Sequence, residues 1–249
     1  LKGIWFIPMI LLSIVSSTSG QLSSYTFVST TGNTLDDISI GSTQVISSAS
    51  DDVNASIQNI GFVFNFAGST YTQFSVNSNG LMRLGATIIS TSGLNQLTAS
   101  TDNPKIAPYW DDLATGVDGY VKYKLTGTAP NRKLVIEWKI TVPKNANGTA
   151  GARMQVWLTE TSNSIEFVYG SGFAANFTGG GYTMGLANSS SEFMSVTSAS
   201  NSYSTTVEMN SNTQAITSGR KQSFGPPVAT GIPSCATNVD PVTNSVGVQ

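Results

Sequence analysis

Two adjacent carboxylates, Asp111 and Asp112, follow a Pro-Tyr-Trp step in the stretch NPKIAPYWDDL, residues 103–113, and Asp118 lies close behind them. Three kinds of chemistry suit acids at this spacing. In glycoside hydrolases, paired carboxylates face each other across a bond at roughly 5 to 9.5 Å. Neighbours on an extended strand point to opposite faces, so Asp111 and Asp112 cannot make that pair alone. A second acid would have to come from Glu137 or Glu166, and Glu137 sits on the polar side of its segment, where a solvated residue is the default. As metal ligands, Asp111, Asp112 and Asp118 around Thr115-Gly116 offer the oxygens that calcium takes from flexible loops. Their spacing is not that of an EF-hand. The third reading is structural: one carboxylate accepts backbone N–H groups where a strand breaks. The turn lock is favoured over calcium, and calcium over catalysis. Asp36-Asp37 and Asp51-Asp52 read by spacing as solvated turns.

The residues that are missing narrow the choice further. There is no His in the 249 residues, which removes Ser-His-Asp and Cys-His catalysis, zinc-His sites and the usual base near neutral pH. Cys235 is the one cysteine, so no disulfide closes within the chain, and its expected partner is a downstream module. Charged residues are 10% of the chain against roughly 25% in an average soluble protein. Net charge is -2 with no basic stripe, which argues against nucleic-acid binding.

The segments that must carry these residues alternate with a period of two. Phe62, Phe64 and Phe66 share one side of a strand, and residues 77–80, Asn-Ser-Asn-Gly, read as a tight turn. Leu134, Ile136, Trp138 and Ile140 share one face, with Lys133, Glu137 and Lys139 opposite. Met154, Val156 and Leu158 oppose Arg153, Gln155 and Trp157; Ile165, Phe167 and Tyr169 follow. No long window has a helical period. Many short strands at turn-sized spacing predict an all-β fold, an antiparallel β-sandwich or jelly roll, over residues 21–224.

Both ends differ in texture. Lys2, an apolar run at 4–15 and small polar residues up to Gly20 read as a secretory signal peptide, residues 1–20, too short for a good membrane span. Residues 225–249 hold Pro226, Pro227, Pro233 and Pro241 and read as a stiff linker plus the opening of another β domain.

Candidate ligand contacts are aromatic. Trp157, with Arg153 and Gln155 on the same face, is the best stacking platform, although core or interlayer packing is the commoner fate of such a residue. Tyr182, Tyr203 and Phe173 lie in Gly- and Ser-rich stretches, where ligand contacts often arise. Residues 179–181, Gly-Gly-Gly, lack the pattern of a phosphate cradle. Sequons at Asn54, Asn147, Asn176 and Asn188 arise easily by chance in so Asn/Ser/Thr-rich a chain.

Residues 61–85, GFVFNFAGSTYTQFSVNSNGLMRLG, then NPKIAPYWDDL, then GYVKYKLTGTAPNRKLVIEW at 119–138 and QVWLTETSNSIEFVYG at 155–170 resemble, in the same order, a domain of large bacterial cell-surface and secreted proteins. A looser likeness is to the extracellular nidogen-type domain, which also has an aromatic-Trp-Asp step after a strand. The first resemblance implies an extracellular β-sandwich in an adhesin-like protein, exported by the type IX system and followed by fibronectin type III or immunoglobulin-like repeats. It implies no particular ligand.

The expectation is therefore a secreted, non-catalytic module that binds an extracellular glycan or protein surface, with no cofactor unless calcium binds. The alternatives are a carbohydrate-active hydrolase, or its accessory module, with Glu137 or Asp112 in the site, and a plain structural spacer.

Overall fold

The computed structural model describes residues 21–173 and 181–227. The leader at 1–20, the sequon at Asn176, Gly179 and Gly180, Cys235 and the tail from residue 228 lie outside the described residues.

The alternating segments form two antiparallel sheets of seven strands, as the period of two predicts. The first sheet runs β1 (Thr26–Thr30), β14 (Lys221–Gly225), β10 (Ile165–Tyr169), β9 (Ala152–Thr159), β8 (Lys133–Ile140), β7 (Tyr120–Thr126) and β2 (Thr43–Ile46). The second runs β13 (Ser202–Ser204), β12 (Phe193–Thr197), β11 (Thr183–Ala187), β6 (Lys105–Trp110), β5 (Met82–Leu84), β4 (Ser69–Val76) and β3 (Gln58–Phe66). Ile60, Phe62, Phe64 and Phe66 of β3 point inward, while Gly61, Val63 and Asn65 between them stay exposed. They meet Leu134, Ile136, Trp138 and Ile140 of β8 and Met154, Val156 and Leu158 of β9 in one core between the sheets. Burying a side chain of this size is worth about 1.5–3 kcal/mol, and this single core holds the two sheets together.

A bulge sets the local geometry before the aspartates. Thr183 pairs with Trp110 and Gly185 with Ala107, so Pro108 and Tyr109 together face Met184. The extra residue flips the alternation. Tyr109 turns into the core, and Trp110 turns out to pack with Leu81, Ile89, Leu97, Ala107, Ala187 and Phe193.

Connections cover both outer faces. β1 and β2 are consecutive in sequence but form opposite edges of the first sheet. Six strand spacings separate them, roughly 29 Å. The intervening residues, 31–42, could reach roughly 40 Å when extended, so they can cross the face as a strap. Along the way Asn33 N–H donates to Gly219 O at 3.0 Å, and Ile40 O accepts from Lys124 Nζ at 2.8 Å. Ile38, only 1% exposed, packs on Val135, Trp157 and Val168. On the second sheet, residues 85–104 bring Ile89 and Leu97 down over Trp110. Under this loop Lys105 is fully buried, and its ammonium donates to Leu97 O, Ala99 O and Asn103 Oδ1. Burial pulls its pKa down to about 8.

Candidate functional site

Three outward residues of β9 were the expected ligand platform, and the strap closes over two of them. Trp157 is 9% exposed, capped by Ile38, with Lys133 Nζ 3.9 Å from the ring centroid. Gln155 is fully buried. Its Nε2 donates to Asp36 O at 2.8 Å and Glu137 Oε2 at 2.7 Å, and its Oε1 accepts from Asp36 N at 2.9 Å and Trp157 Nε1 at 2.7 Å. With its amide so engaged, Gln155 has nothing left for a ligand. Neither side chain is an open platform, because the strap takes the place a ligand would take.

Glu137 also departs from expectation. A solvated residue was predicted, and the carboxylate is wholly buried. Cross-strand register places Lys122 on one side of it and Gln155 on the other. Tyr120 Oη donates to Oε1 at 2.9 Å and Arg153 NH2 to Oε2 at 2.9 Å, while Lys122 Nζ lies 3.7 Å from Oε1. Hydrogen bonding to the carboxylate and burial push the Tyr120 hydroxyl up to about 12, burial contributing most. Tyr120 and Lys122 escaped the sequence reading, since their link to Glu137 exists only through strand pairing. Arg153 keeps 42% of its side chain exposed and is the open member of the group.

The aspartates do not gather as expected. Asp118 lies apart from the other two, with one oxygen on Lys139 Nζ at 2.6 Å and the other accepting Ala150 N–H at 2.7 Å. Asp112 is drawn instead to Asp51 and Asp52, whose carboxylate oxygens approach its own to within 4.8 Å. That meeting follows from the bridge between Asp51 and Ala114, two residues after Asp112. Lys144 Nζ sits among them, 3.1 Å from Asp51 Oδ2 and 3.0 Å from Asp112 Oδ1. The donor type suits calcium, which takes six to eight oxygens, but an ammonium already stands between two of the three carboxylates, and Asp52 Oδ1 accepts from Asn79 Nδ2 at 2.9 Å. Three carboxylates against one ammonium leave the cluster net negative, but Lys144 occupies the space between two of them, so the residues present do not fit as a calcium cage. Melting temperatures in calcium and in chelator are expected to agree within about 1 °C, since a ligand that does not bind cannot stabilise. A larger rise in calcium would overturn this assignment.

The side chain that ties this turn is Asn79. Its Oδ1 accepts Leu113 N–H at 2.9 Å, its backbone O accepts Asp111 N–H at 3.2 Å, and its Nδ2 reaches Thr91 O at 2.8 Å. The carboxylate lock expected at Asp111 and Asp112 is thus largely an amide lock. Asp111 itself is half-buried, and burial raises its pKa to about 6 against the N–H of Asp112, which lowers it. An acid with a raised folded pKa holds its proton more tightly in the fold, so stability falls as pH climbs from 3.8 to about 6. Asp111→Asn is expected to melt higher than the parent at pH 7 and about equally at pH 4, as read by thermal unfolding at the two pH values.

A family model described as NIDO related matches residues 24–226, most of the chain and essentially the whole described sandwich. The chain belongs to the NIDO-related family. Of the two likenesses carried by the sequence blocks, the match supports the nidogen-type one. No curated protein and no solved structure matches.

Two of the three aromatic residues of the Gly- and Ser-rich stretches, Tyr182 and Phe173, are core in this NIDO-related domain. Tyr182 is 1% exposed, stacks on Tyr109 at 4.0 Å and donates to Gln214 O at 2.7 Å. It is not a surface contact. Burial pushes its hydroxyl up to about 12. Phe173 packs against Tyr109 and Tyr169. Tyr203 remains open at 41%, edged against Phe27.

Proposed function

We propose that this NIDO-related domain is a secreted, non-catalytic recognition module of a cell-surface protein, acting in adhesion or ligand binding. Export by a cleaved leader and a following fibronectin type III or immunoglobulin-like repeat belong to the same reading, as does the type IX route. The observation that carries it is the engagement of the acids that catalysis would need. Glu137 is enclosed by Arg153, Gln155, Tyr120 and Lys122; Asp51 and Asp112 share Lys144; Glu166 pairs with Lys221 at 2.8 Å. A glycosidase acid must instead face the scissile bond, with a partner across it. With the middle of each outer face covered by a connection, the reading places recognition at the loop ends and the gaps between strands.

The test is to immobilise acidic and neutral polysaccharides and extracellular-matrix proteins, and to measure both retention of the full chain and release of reducing ends. Retention without release is the expected result. Steady release of reducing ends would instead support a hydrolase, and indifference to every surface would support a spacer.

A further inference from the structure

The structure assigns a ligand site that neither the sequence motifs nor the acidic cluster pointed to: a cavity of about 200 Å³ between β11, the β12–β13 turn and the start of β14. We propose that it holds one small hydroxylated carboxylate, the terminal acid unit of an acidic sugar chain. This rests on the reading of the domain as a recognition module and names the ligand class of one site in it.

Three observations carry the assignment. The first is Arg220, which lines the cavity. Arg83, Arg132 and Arg153 each pair with a carboxylate, and Arg220 does not among the described residues; its NH1 meets only Ser29 Oγ at 3.2 Å. No acid lines the cavity. The second is Gln222, 1% exposed, whose side chain also lines it. Tyr169 Oη is 3.4 Å from its Oε1, and the other end of the amide has no protein partner among the described residues. Its Nε2 makes no hydrogen bond to the described residues and is not sealed from the cavity, so that end is available to a guest. The third is the character of the remaining wall: Ser198, Asn201, Gln214 and Thr217 supply hydroxyl and amide groups, and no aromatic ring lines the space among the described residues.

The guest follows from these groups. One guanidinium with no second cation matches a single negative charge, and its fork suits a carboxylate. Amides and hydroxyls both donate and accept, which suits hydroxyl groups on the ligand. The missing ring face gives a neutral sugar no stacking surface. The volume is below the roughly 300–1,000 Å³ of sites for drug-sized molecules, so the cavity takes a single unit at a chain end rather than the middle of a polymer.

Saturation-transfer NMR and titration on the full chain test the assignment, with glucuronate as probe and glucose, acetate and inorganic phosphate as comparators. Glucuronate is expected to bind about tenfold or more tightly than glucose, the margin of one charge-assisted hydrogen bond, and more tightly than acetate or phosphate, which lack the ring hydroxyls that the amides and hydroxyls of the wall would meet. Arg220→Gln, with its melting profile checked against the parent, is expected to remove that margin. Equal binding of glucose would show that the arginine is not used, and equal binding of acetate or phosphate would show a site that reads charge alone; either overturns the proposal. So does an Arg220→Gln protein that still prefers glucuronate to glucose. If Arg220→Gln unfolds, the parent comparison still decides, with Thr217→Val as a second variant expected to weaken glucuronate and leave acetate unchanged. A chain that adheres to immobilised surfaces yet ignores glucuronate keeps the recognition reading and loses this site.

Discussion

Gly80→Ala is expected to lower the melting temperature by about 10 °C, at the 2–4 °C per kcal/mol typical of a domain this size. Two penalties add. Gly80 has φ +77, where a residue with a Cβ costs roughly 1–2 kcal/mol. A Cβ there would also stand 2.0 Å from Tyr109 O, on the bulged strand, and 3.1 Å from the methyl of Met154. Backbone cannot step aside without disturbing β6, because Asn79 and Asn77 on the same turn hold Leu113 N–H and Trp138 Nε1. Gly32→Ala is the internal control. Its φ is +78 with nothing within 4 Å, so it is expected to lose only about 1 kcal/mol. Equal losses in the two variants, measured by thermal or denaturant unfolding, would mean that the contact with Tyr109 does not matter.

Glu137→Ala is expected to cost about 3–5 kcal/mol, the usual result of removing one partner from a buried ion pair. The loss leaves Lys122, nearly buried, without its carboxylate and strips hydrogen bonds from Tyr120 and Gln155. Gln155 also holds the strap through Asp36, so the damage should spread to residues 31–42 and appear as faster hydrogen exchange at Asp36 N–H. Arg153 is 42% exposed and can return to water. In a double-mutant cycle, Arg153→Met in the Glu137→Ala background should therefore cost less than in the parent, with coupling of about 1 kcal/mol or more. Additive losses would show that the two side chains do not communicate.

The second experiment bears on function through the strap. The strap turns what would have been a solvent face into an interior layer, so a ligand is met elsewhere.

Much of the body was legible before any coordinates. Phe62, Phe64 and Phe66 alternate with Gly61, Val63 and Asn65, and in a strand that spacing places all three rings on one side. The turn at 77–80 was equally readable, since a Gly after Asn-Ser-Asn suits a backbone that needs positive φ. Glu137 was placed on the correct face but in the wrong medium, and Trp157 and Gln155, offered as a platform, have the interlayer packing that was the commoner expectation for Trp157. Nothing local to β8 or β9 says that residues 31–42 must lie over them; that follows from β1 and β2 ending at opposite edges of one sheet. The acidic group failed for a related reason. Asp51 and Asp112 are 61 positions apart and meet through a bridge at Ala114, whereas Asp118, near in sequence, is drawn to Lys139 instead.

Side-chain alternation is a property of neighbouring residues, so the chain order alone determines which groups face inward, and with them the all-β class and the core. Whether an outward group meets water, a strap or another charge depends on contacts between distant segments, and only the folded topology decides it. The Arg220 cavity is of this second kind: its walls come from residues 184, 198, 199, 201, 214–217, 220 and 222, which no local pattern joins.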